Sequence, residues 1–360
     1  GSRGSGRGRG GRFGGRSYTR GGPSQSLPQD VEQIMQLGKK QGGHQITVTC
    51  LAWDNDSSRL YSGSKDGTVC VWDCQSGQCE KKVPQGGVVD SILIEGGHLF
   101  VGTHKQQSGR PIGEIKTYNM ASGAMATLTG HEGEIYALHV ANNMLFSGGR
   151  GGALHVWTYD VTSQQFVQQA QIGADMGGHT QSVKCMTSAG AFLYSGDFLG
   201  TIKVWDLAGG SCTQTIPGHD SCVSQLILWQ EFLVSSSYDG SVRVWAHEET
   251  PAPGAVLKPV PLYTHPDDGN GDGSGRTNKA NRLFQVMDMM GQLDGQGNAV
   301  LITSHNEEEV AHLWDLPSFN DRGVLPRVVA SRAICAGPNG VMFTGGDDGL
   351  IRVFQFKPQA

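Results

Sequence analysis

The sequence predicts an all-β fold made of seven repeated units, on three observations. Glycine accounts for 54 of the 360 residues, about twice its usual share in soluble proteins, and each Gly inside a helix costs about 1 kcal/mol relative to Ala. Blocks of similar sequence recur along the chain. A His precedes several of these blocks at a nearly fixed distance from a Trp. Together these features indicate short strands joined by tight turns.

Five blocks of equal length align with one another without a gap, and each has the pattern of a strand, a tight turn and a second strand. They are LYSGSKDGTVCVW (60–72), LFSGGRGGALHVW (145–157), LYSGDFLGTIKVW (193–205), LVSSSYDGSVRVW (233–245) and MFTGGDDGLIRVF (342–354). Two looser copies, at 99–118 and 301–314, carry additional residues in the turn. The sequence therefore predicts seven units.

A Gly-His pair precedes four units, and its distance from the closing Trp is nearly constant. A His, a Ser, an Asp and a Trp can satisfy one another's hydrogen-bond donors and acceptors inside an apolar layer, so we predict a structural role for these sets. The predicted set residues are His44, Ser62, Asp66, Trp72, His131, Trp157, His179, Trp205, His219, Ser235, Asp239 and Trp245.

Complete sets are expected at the first and the fourth Gly-His pair. Ser64 and Ser237 are alternatives to Ser62 and Ser235 as the hydroxyl of the set. In the third block, Leu199 occupies the turn position at which an Asp is expected. These positions leave the composition of the individual sets open.

The residues at this point resemble the WD-repeat family, in which Gly-His opens a repeat of about 40 residues and Trp-Asp closes it. Trp-Asp occurs at 72–73, 205–206 and 314–315. The resemblance implies a seven-bladed β-propeller over residues 31–357, with four strands in each blade.

Three stretches are similar to plant-type CCCH zinc-finger/WD-repeat proteins, in which a Cys-Cys-Cys-His finger precedes the propeller. They are VWDCQSGQC (71–79), LPSFNDRG (316–323) and RAICAGPNGVMFTGGDDG (332–349). The finger of that family is absent from this chain, so no cofactor is expected in it. Zinc is expected only if a CCCH finger lies upstream in the parent protein.

Residues 31–38 are expected to close the ring. The seventh unit supplies three strands and ends near residue 356, which would leave an unpaired edge. The segment VEQIMQLG can add the fourth strand, and an amphipathic helix is the competing interpretation. A polar, Gly-rich insert is assigned to 264–282, because Trp245 and Trp314 are much farther apart in the sequence than one repeat requires.

Residues 1–29 are predicted to form a disordered tail, because Gly, Arg and Ser cannot bury enough apolar surface. Six Arg precede the first acidic residue, so this tail carries +6, while the remaining 22 bases and 33 acids give −11. Arg-Gly repeats can pair with phosphates, and aromatic rings can stack on unpaired bases. The predicted RNA-contacting residues are Arg3, Arg7, Arg9, Arg12, Phe13, Arg16, Tyr18 and Arg20. A plain linker and a protein-binding or methylated tail are alternatives.

The cysteines do not predict a metal site. Eight Cys in a chain of this length indicate reduced thiols and an intracellular protein. Cys70, Cys74 and Cys79 lack the spacing and the nearby His of a zinc finger and are interpreted as structural thiols. A partial calcium-loop pattern at Asp268, Asn270, Asp272 and Gly273 has Lys279 where the acidic twelfth residue belongs, and it is interpreted as a linker.

No catalytic residue is predicted, because the sequence lacks a phosphate-binding loop and a nucleophile elbow, and the triad-like groups recur in several units. The leading hypothesis is a non-catalytic, RNA-associated scaffold. Its propeller faces bind proteins, and its tail or an upstream finger binds RNA. The alternative is a substrate receptor of a ubiquitin ligase, which the absence of Trp-Asp-x-Arg disfavours; an enzyme ranks third. We expect a monomer in the nucleus, the cytoplasm or both, without a membrane span.

Overall fold

The structure is a computed structural model that describes residues 26–248, 256–266, 284–306, 309–326, 328 and 333–357. In these ranges the chain forms 28 strands, arranged in seven antiparallel sheets of four strands each. The inner strand of each sheet contacts the inner strands of the two neighbouring sheets, and the last sheet contacts the first. The predicted all-β, seven-bladed propeller is therefore confirmed. Within the same ranges, no helix has the length and hydropathy of a membrane span.

The strands of each blade follow one another from the central channel outward, except in the closing blade. Blade 1 consists of β2 (Val48–Asp54), β3 (Arg59–Ser64), β4 (Thr68–Asp73) and β5 (Gln78–Pro84). Blade 2 consists of β6 (Val88–Glu95), β7 (His98–Gln107), β8 (Arg110–Asn119) and β9 (Met125–His131). Blade 3 consists of β10 (Ala137–Ala141), β11 (Met144–Gly148), β12 (Leu154–Asp160) and β13 (Gln165–Ile172). Blade 4 consists of β14 (Val183–Ala189), β15 (Phe192–Asp197), β16 (Thr201–Asp206) and β17 (Ser211–Pro217).

The second half of the chain continues this order. Blade 5 consists of β18 (Val223–Trp229), β19 (Phe232–Ser237), β20 (Val242–Trp245) and β21 (Tyr263–His265). Blade 6 consists of β22 (Val286–Leu293), β23 (Ala299–His305), β24 (Val310–Asp315) and β25 (Asn320–Pro326). Blade 7 consists of β26 (Ala333–Ala336), β27 (Val341–Gly345), β28 (Ile351–Phe356) and β1 (Val31–Leu37). Short 3₁₀ turns occur at Lys39–Gln41, Ala174–Met176 and Pro338–Gly340.

The repeated Ser-Gly of the aligned blocks follows from the close approach of neighbouring blades. A Cβ added to Gly63 on β3 would lie 2.4 Å from Val89 on the inner strand of the next blade. A Cβ added to Gly196 would lie 2.7 Å from Val223 in the same way. A side chain at Gly63 or Gly196 would collide with the next blade, which explains the Gly in these blocks. Blade 5 carries the small Ser236 at the equivalent position.

Strand β1 completes blade 7 by pairing antiparallel with β28, with Val31 opposite Phe356 and Leu37 opposite Ile351. Both ends of the strand are buried, Val31 against blade 6 and Leu37 against blade 1. Residues 31–37 are thus a strand and not a helix. The first strand and the last strand of the described chain lie side by side, so the ring has no open sheet edge at this position.

Arg322 on β25 fastens the N-terminal segment to blade 6. Its guanidinium donates hydrogen bonds to Asp294 Oδ2 at 2.9 Å, to Asp315 Oδ1 at 3.0 Å and to the Asp30 carboxylate. The Asp294 side chain is only 2% exposed. Arg322 lies in the stretch 316–323, which resembles the CCCH zinc-finger/WD-repeat proteins. Through Arg322, this stretch contributes to the closure of the ring.

The tail boundary differs from the predicted residue 29, because residues 26–29 lie on the propeller. The Ser26 carbonyl oxygen accepts a hydrogen bond from Val324 N at 3.2 Å, and Leu27 packs against the apolar cluster of blades 6 and 7. Lys357 Nζ donates to the Gln29 carbonyl oxygen at 2.7 Å. One apolar side chain and two hydrogen bonds to backbone carbonyl oxygens thus connect the segment to the propeller. The predicted RNA-contacting residues lie in 1–25, outside the described residues.

The insert boundary also differs from the predicted start at residue 264. Thr264 pairs with Arg243, and His265 pairs with Val242, as part of the outer strand of blade 5. These pairs supply the fourth strand that the blade needs. The calcium-loop-like residues 268–273 and Lys279 lie outside the described residues.

The two faces of the ring are distinguished by their connections. We call upper face the one that carries the turns between the second and third strands and the connections between blades. The lower face carries the other two turns of each blade. The inner strands begin at the upper face, so the residues just before and at the start of each inner strand surround the upper mouth of the channel.

Candidate functional site

In each of four blades, a buried chain of hydrogen bonds links a Trp, a Ser and a His. In blade 1, Trp72 Nε1 donates to Ser62 Oγ at 2.8 Å, and Ser62 Oγ lies 2.7 Å from His44 Nε2. The same two contacts at the same distances occur in blades 3, 4 and 5. The residues are His131, Ser147 and Trp157; His179, Ser195 and Trp205; and His219, Ser235 and Trp245.

The direction of these hydrogen bonds fixes the protonation of the His. An ionised carboxylate can only accept, so where an Asp faces the His the imidazole carries its proton on Nδ1. Nε2 of the neutral ring then accepts from the Ser hydroxyl, and the Ser oxygen accepts from the indole N–H. In blade 5, Nδ1 of His219 is 3.0 Å from Asp239 Oδ2, and in blade 1, Nδ1 of His44 is 3.4 Å from Asp66. The order Asp, His, Ser is that of a hydrolase triad.

Burial nevertheless prevents these sets from meeting a substrate. The Ser hydroxyls of the four blades belong to residues that are 0% exposed, and each oxygen already accepts a hydrogen bond from a Trp. Burial lowers the pKa of His219, although Asp239 opposes this effect. Although burial acts in the opposite direction, hydrogen bonds from Thr68 and from Gln45 N–H lower the pKa of Asp66 to about 2. The geometry is that of a buried structural network, and the pKa shifts favour the neutral form of His44 and His219 and the ionised form of Asp66 and Asp239.

The two alternative hydroxyls have a different partner. Ser64 Oγ and Ser237 Oγ accept hydrogen bonds from the backbone N–H of Asp66 and Asp239, at 3.0 and 2.9 Å. They hold the turn that carries the Asp and do not contact the His in the way Ser62 does. The hydroxyl that bonds to the His is therefore that of Ser62 in blade 1 and that of Ser235 in blade 5.

The set at His179 is complete, which the sequence pattern did not predict. Its Asp is Asp197, two residues before Leu199, with Oδ2 at 2.8 Å from His179 Nδ1. Asp197 Oδ1 also accepts from the backbone N–H groups of Leu199 and Thr201. The carboxylate therefore reaches the same nitrogen from the end of the strand as Asp239 reaches from the turn.

In blades 2, 3 and 6, other residues take the place of parts of the network. In blade 3, His155 packs on His131 with ring centroids 3.9 Å apart, where blade 1 has Cys70. In blade 2, Tyr118 Oη donates to Gln85 Oε1 at 2.9 Å. In blade 6, Trp314 Nε1 donates to Thr303 Oγ1 at 3.0 Å, and Thr303 Oγ1 lies 3.1 Å from a His two residues later. Each of these blades thus satisfies its polar groups with a different partner.

The three clustered cysteines pack inside blade 1. Cys70 is fully buried, with its thiol 3.7 Å from His44 Nδ1, whereas Cys74 and Cys79 are half-buried. Burial raises the pKa of Cys74 to about 11, and a hydrogen bond from Cys70 lowers the pKa of Cys79 to about 7. In the part of the chain that the structure describes, no group of three or more His, Cys, Asp or Glu could hold a metal ion.

The inner strands carry a β-bulge near their start in five blades, and bulges re-aim side chains. The residues at the bulges are Thr49, Asp90, Lys184, Ser224 and Met287. Side chains at or next to the bulges bond to the following blade around the channel. Thr49 Oγ1 donates to the Val89 carbonyl oxygen at 2.6 Å, and Gln225 Nε2 donates to Asp288 Oδ1 at 3.1 Å.

The upper mouth of the channel forms an open cavity of about 370 Å³, lined by residues of blades 1 to 6. Its lining residues are Thr49, Lys65, Val88, Asp90, His104, Glu134, Tyr136, Lys184, Tyr238 and Met287. His104 Nδ1 lies 2.9 Å from the Asp90 carboxylate, and this hydrogen bond raises the pKa of His104. The mouth therefore combines charged groups with aromatic rings at the centre of the face.

Tyr136 is the centre of an aromatic and cationic cluster at this mouth. Lys184 Nζ lies 4.9 Å from the centre of its ring, and the Phe198 ring lies 5.6 Å away on another blade. Phe198 is 38% exposed, and the adjacent Leu199 is 63% exposed. Burial, with a smaller effect of Glu134, raises the pKa of Tyr136 to about 12, so its phenol stays a hydrogen-bond donor. We call Tyr136, Lys184, Phe198 and Leu199 the mouth cluster.

Sequence reasoning did not find the mouth cluster. Its members come from two blades, lie far apart in the sequence and share no spacing. The signal that could have found it is the apolar pair Phe198-Leu199 at a turn whose second position is Asp or Gly in the other four aligned blocks.

Comparison with known proteins agrees with the repeats in the structure. The WD domain, G-beta repeat family matches residues 35–73, 123–158, 171–206 and 210–246. Zinc finger CCCH domain-containing protein 17 of Oryza sativa subsp. japonica is 32% identical over 314 residues, which are 87% of this chain and 64% of that protein. Zinc finger CCCH domain-containing proteins 48 and 62 of Arabidopsis thaliana are 35% and 31% identical. They align over 88% and 87% of this chain and 66% and 68% of their own lengths.

The chain thus spans about two thirds of the length of these curated relatives. The chain belongs to the WD-repeat proteins, in the group that contains these CCCH zinc-finger domain-containing proteins.

Proposed function

We propose that this chain is a non-catalytic, RNA-associated scaffold, in which the upper mouth of the propeller binds protein partners and the Arg-Gly tail binds RNA. The observation that carries the proposal is the contrast between the two groups of polar residues. The triad-like sets are buried and satisfied, whereas the mouth cluster is open and partly apolar. A propeller of this family typically serves as a scaffold, although the fold alone assigns no function.

The charge distribution supports a division of labour between tail and propeller. The tail carries +6, and the remainder carries −11, so a polyanion is attracted by the tail and repelled by the ring as a whole. The names of the plant relatives state that they contain a CCCH zinc-finger domain. A finger upstream in the parent protein would add to the RNA contact of the tail. The proposal includes a monomeric protein in the nucleus, the cytoplasm or both.

The RNA part of the proposal is tested by the salt dependence of binding. A full-length variant in which the six tail Arg are replaced by Gln is compared with the unchanged chain on single-stranded RNA, by fluorescence anisotropy. Each neutralised phosphate contributes about −0.7 to the slope of log affinity against log salt, so six Arg give at most about −4. We expect the variant to lose nearly all binding, because the ring repels RNA.

The matched control replaces six Lys of the ring, other than Lys65 and Lys184, by Gln. It removes the same amount of positive charge as the tail variant. This control should keep the affinity of the unchanged chain within a few-fold. Equal affinity of the unchanged chain and the Arg-to-Gln variant would contradict the assignment of the RNA site to the tail.

A further inference from the structure

We infer that the upper mouth recognises a partner segment that presents an acidic side chain, Asp or Glu, beside an apolar one. This inference rests on the proposed function, because it names the chemistry of the partner that the mouth binds. It follows from which charges at the mouth are already satisfied and which are not.

The carboxylates around the mouth have their hydrogen-bond partners within the protein. Asp90 accepts from His104 Nδ1 at 2.9 Å and from Ile135 N at 3.2 Å. Asp288, deeper in the channel, accepts from Met289 N, Ile334 N and a Gln side chain at 2.8 to 3.1 Å. An arriving cation would therefore compete with donors that these carboxylates already have.

Glu134 at the rim is paired as well, at 3.4 Å from Arg150 Nη1. Arg150 is itself 54% exposed, and its charge balances that of Glu134 at the rim. The three carboxylates of the mouth are thus each matched by a donor or a cation of the chain.

Two Lys ammonium groups of the mouth, by contrast, have no such partner among the described residues. Among the described residues, neither Lys184 Nζ nor Lys65 Nζ has an acceptor within hydrogen-bond distance or a carboxylate within 4.0 Å. Lys184 Nζ lies 4.9 Å from the centre of the Tyr136 ring, and this cation–π contact does not occupy its N–H donors with a hydrogen-bond acceptor. The phenol of Tyr136 provides a further donor beside it. A carboxylate is the ligand that these groups can pair with at no loss of an existing contact.

The apolar half of the site follows from the position of Asp197. Because the carboxylate for His179 comes from the end of β15, the side chains of the next two residues take no part in the buried network, although the backbone N–H of Leu199 bonds to Asp197. These residues are Phe198, whose ring lies 5.6 Å from that of Tyr136, and the adjacent Leu199, and both expose apolar surface. An apolar side chain next to the acidic residue of the partner would cover this surface. Phe198 and Leu199 therefore set the specificity, while Lys184 provides the charge.

The experiment begins with a random dodecapeptide library displayed on phage, selected on the full chain at 0.1 M salt. Recovered peptides are synthesised with a fluorescent label, each together with a version in which its Asp and Glu are replaced by Asn and Gln. Affinities for the full chain are measured by anisotropy. We expect selection of acidic-apolar pairs and a loss of at least tenfold in affinity for the amide versions.

Protein variants assign the binding to the mouth. Lys184→Met should weaken binding at least tenfold, and Lys184→Arg should restore most of it, because the charge is restored. Leu199→Ser should weaken binding about threefold or more; the side chain is largely exposed, so the fold is kept. The control is Lys203→Met on the same blade, whose ammonium donates to Thr215 Oγ1 at 2.9 Å, and it should change affinity less than twofold.

Three outcomes would overturn the inference, and they separate it from the proposed function. Peptides that depend on Leu199 but bind equally well as amides would show that the mouth binds proteins without recognising an acidic residue. A selection whose peptides are insensitive to every mouth variant, or that yields none, would contradict the mouth as a protein site altogether. Displacement of an acidic peptide by oligouridylate with equal affinity would assign the mouth to phosphate and also overturn the inference.

Discussion

Lowering the pH from 8 to 5 should destabilise this propeller through two His residues that pack against each other in blade 3. The rings of His131 and His155 have centroids 3.9 Å apart and are buried. Burial, and for His131 also the neighbouring His155, lowers the pKa of His131 to about 3 and the pKa of His155 to about 4. Both side chains are therefore neutral in the folded protein at pH 5.

The size of the expected loss in the free energy of unfolding follows from proton linkage. In the unfolded chain a His has a pKa of about 6.5, so between pH 6.5 and pH 4 the unfolded chain binds protons that the folded protein does not. The contribution of the two His to stability is complete well above pH 6.5. It is lost as the pH falls towards their pKa values in the folded protein. At pH 5, about 1.5 units below the unfolded value, each His costs about 2 kcal/mol, and the pair costs about 4 kcal/mol.

The assay is urea denaturation at equilibrium between pH 8 and pH 5, followed by Trp fluorescence, for the unchanged protein and for His155→Cys. Blade 1 has Cys70 at the equivalent position, packed on His44, so Cys fits this environment. The variant lacks one of the two linked protonation sites, so its free energy of unfolding should fall by about 2 kcal/mol less over the pH range. The contributions of the other His are shared by both proteins and cancel. Equal pH dependence of the two proteins would show that protonation of this His pair does not destabilise the fold.

Two further predictions concern stability. Asp197→Ala should cost roughly 1 to 3 kcal/mol in urea denaturation, because it leaves the Nδ1 donor of buried His179 without its acceptor, whereas Leu199→Ala should stay within about 0.5 kcal/mol; the reverse order would mean that the Asp of this set is not Asp197. Arg322→Met should cost about 2 kcal/mol, since it leaves the buried Asp294 without its cation, and limited proteolysis should then release the N-terminal segment sooner. An unchanged cleavage rate would contradict the role of this residue in closing the ring.

The repeats in the sequence predicted the fold, because each aligned block corresponds to the second and third strands of one blade. Packing between blades imposes Gly and the closing Trp, and both leave a strong periodic signal. Asp197 escaped detection because the network requires only that a carboxylate reach Nδ1 of His179, and two backbone positions satisfy that requirement.

The mouth cluster could not be predicted, for a different physical reason. Tyr136 and Lys184 come from different blades and meet because the inner strands converge on the channel. Their positions near the starts of inner strands carry no required residue type. A ring of seven blades brings side chains together by geometry that a linear pattern does not record.

Affinity capture from cell lysate, with and without RNase, is the most direct test of protein binding at the mouth and RNA binding at the tail. The full chain is compared with Lys184→Met, with Lys203→Met and with the variant in which the six tail Arg are Gln. We expect protein partners that survive RNase, disappear with Lys184→Met and persist with the other two variants, while co-purified RNA disappears only with the tail variant. Partners that are all lost on RNase treatment, or that are retained in full by Lys184→Met, would contradict this expectation.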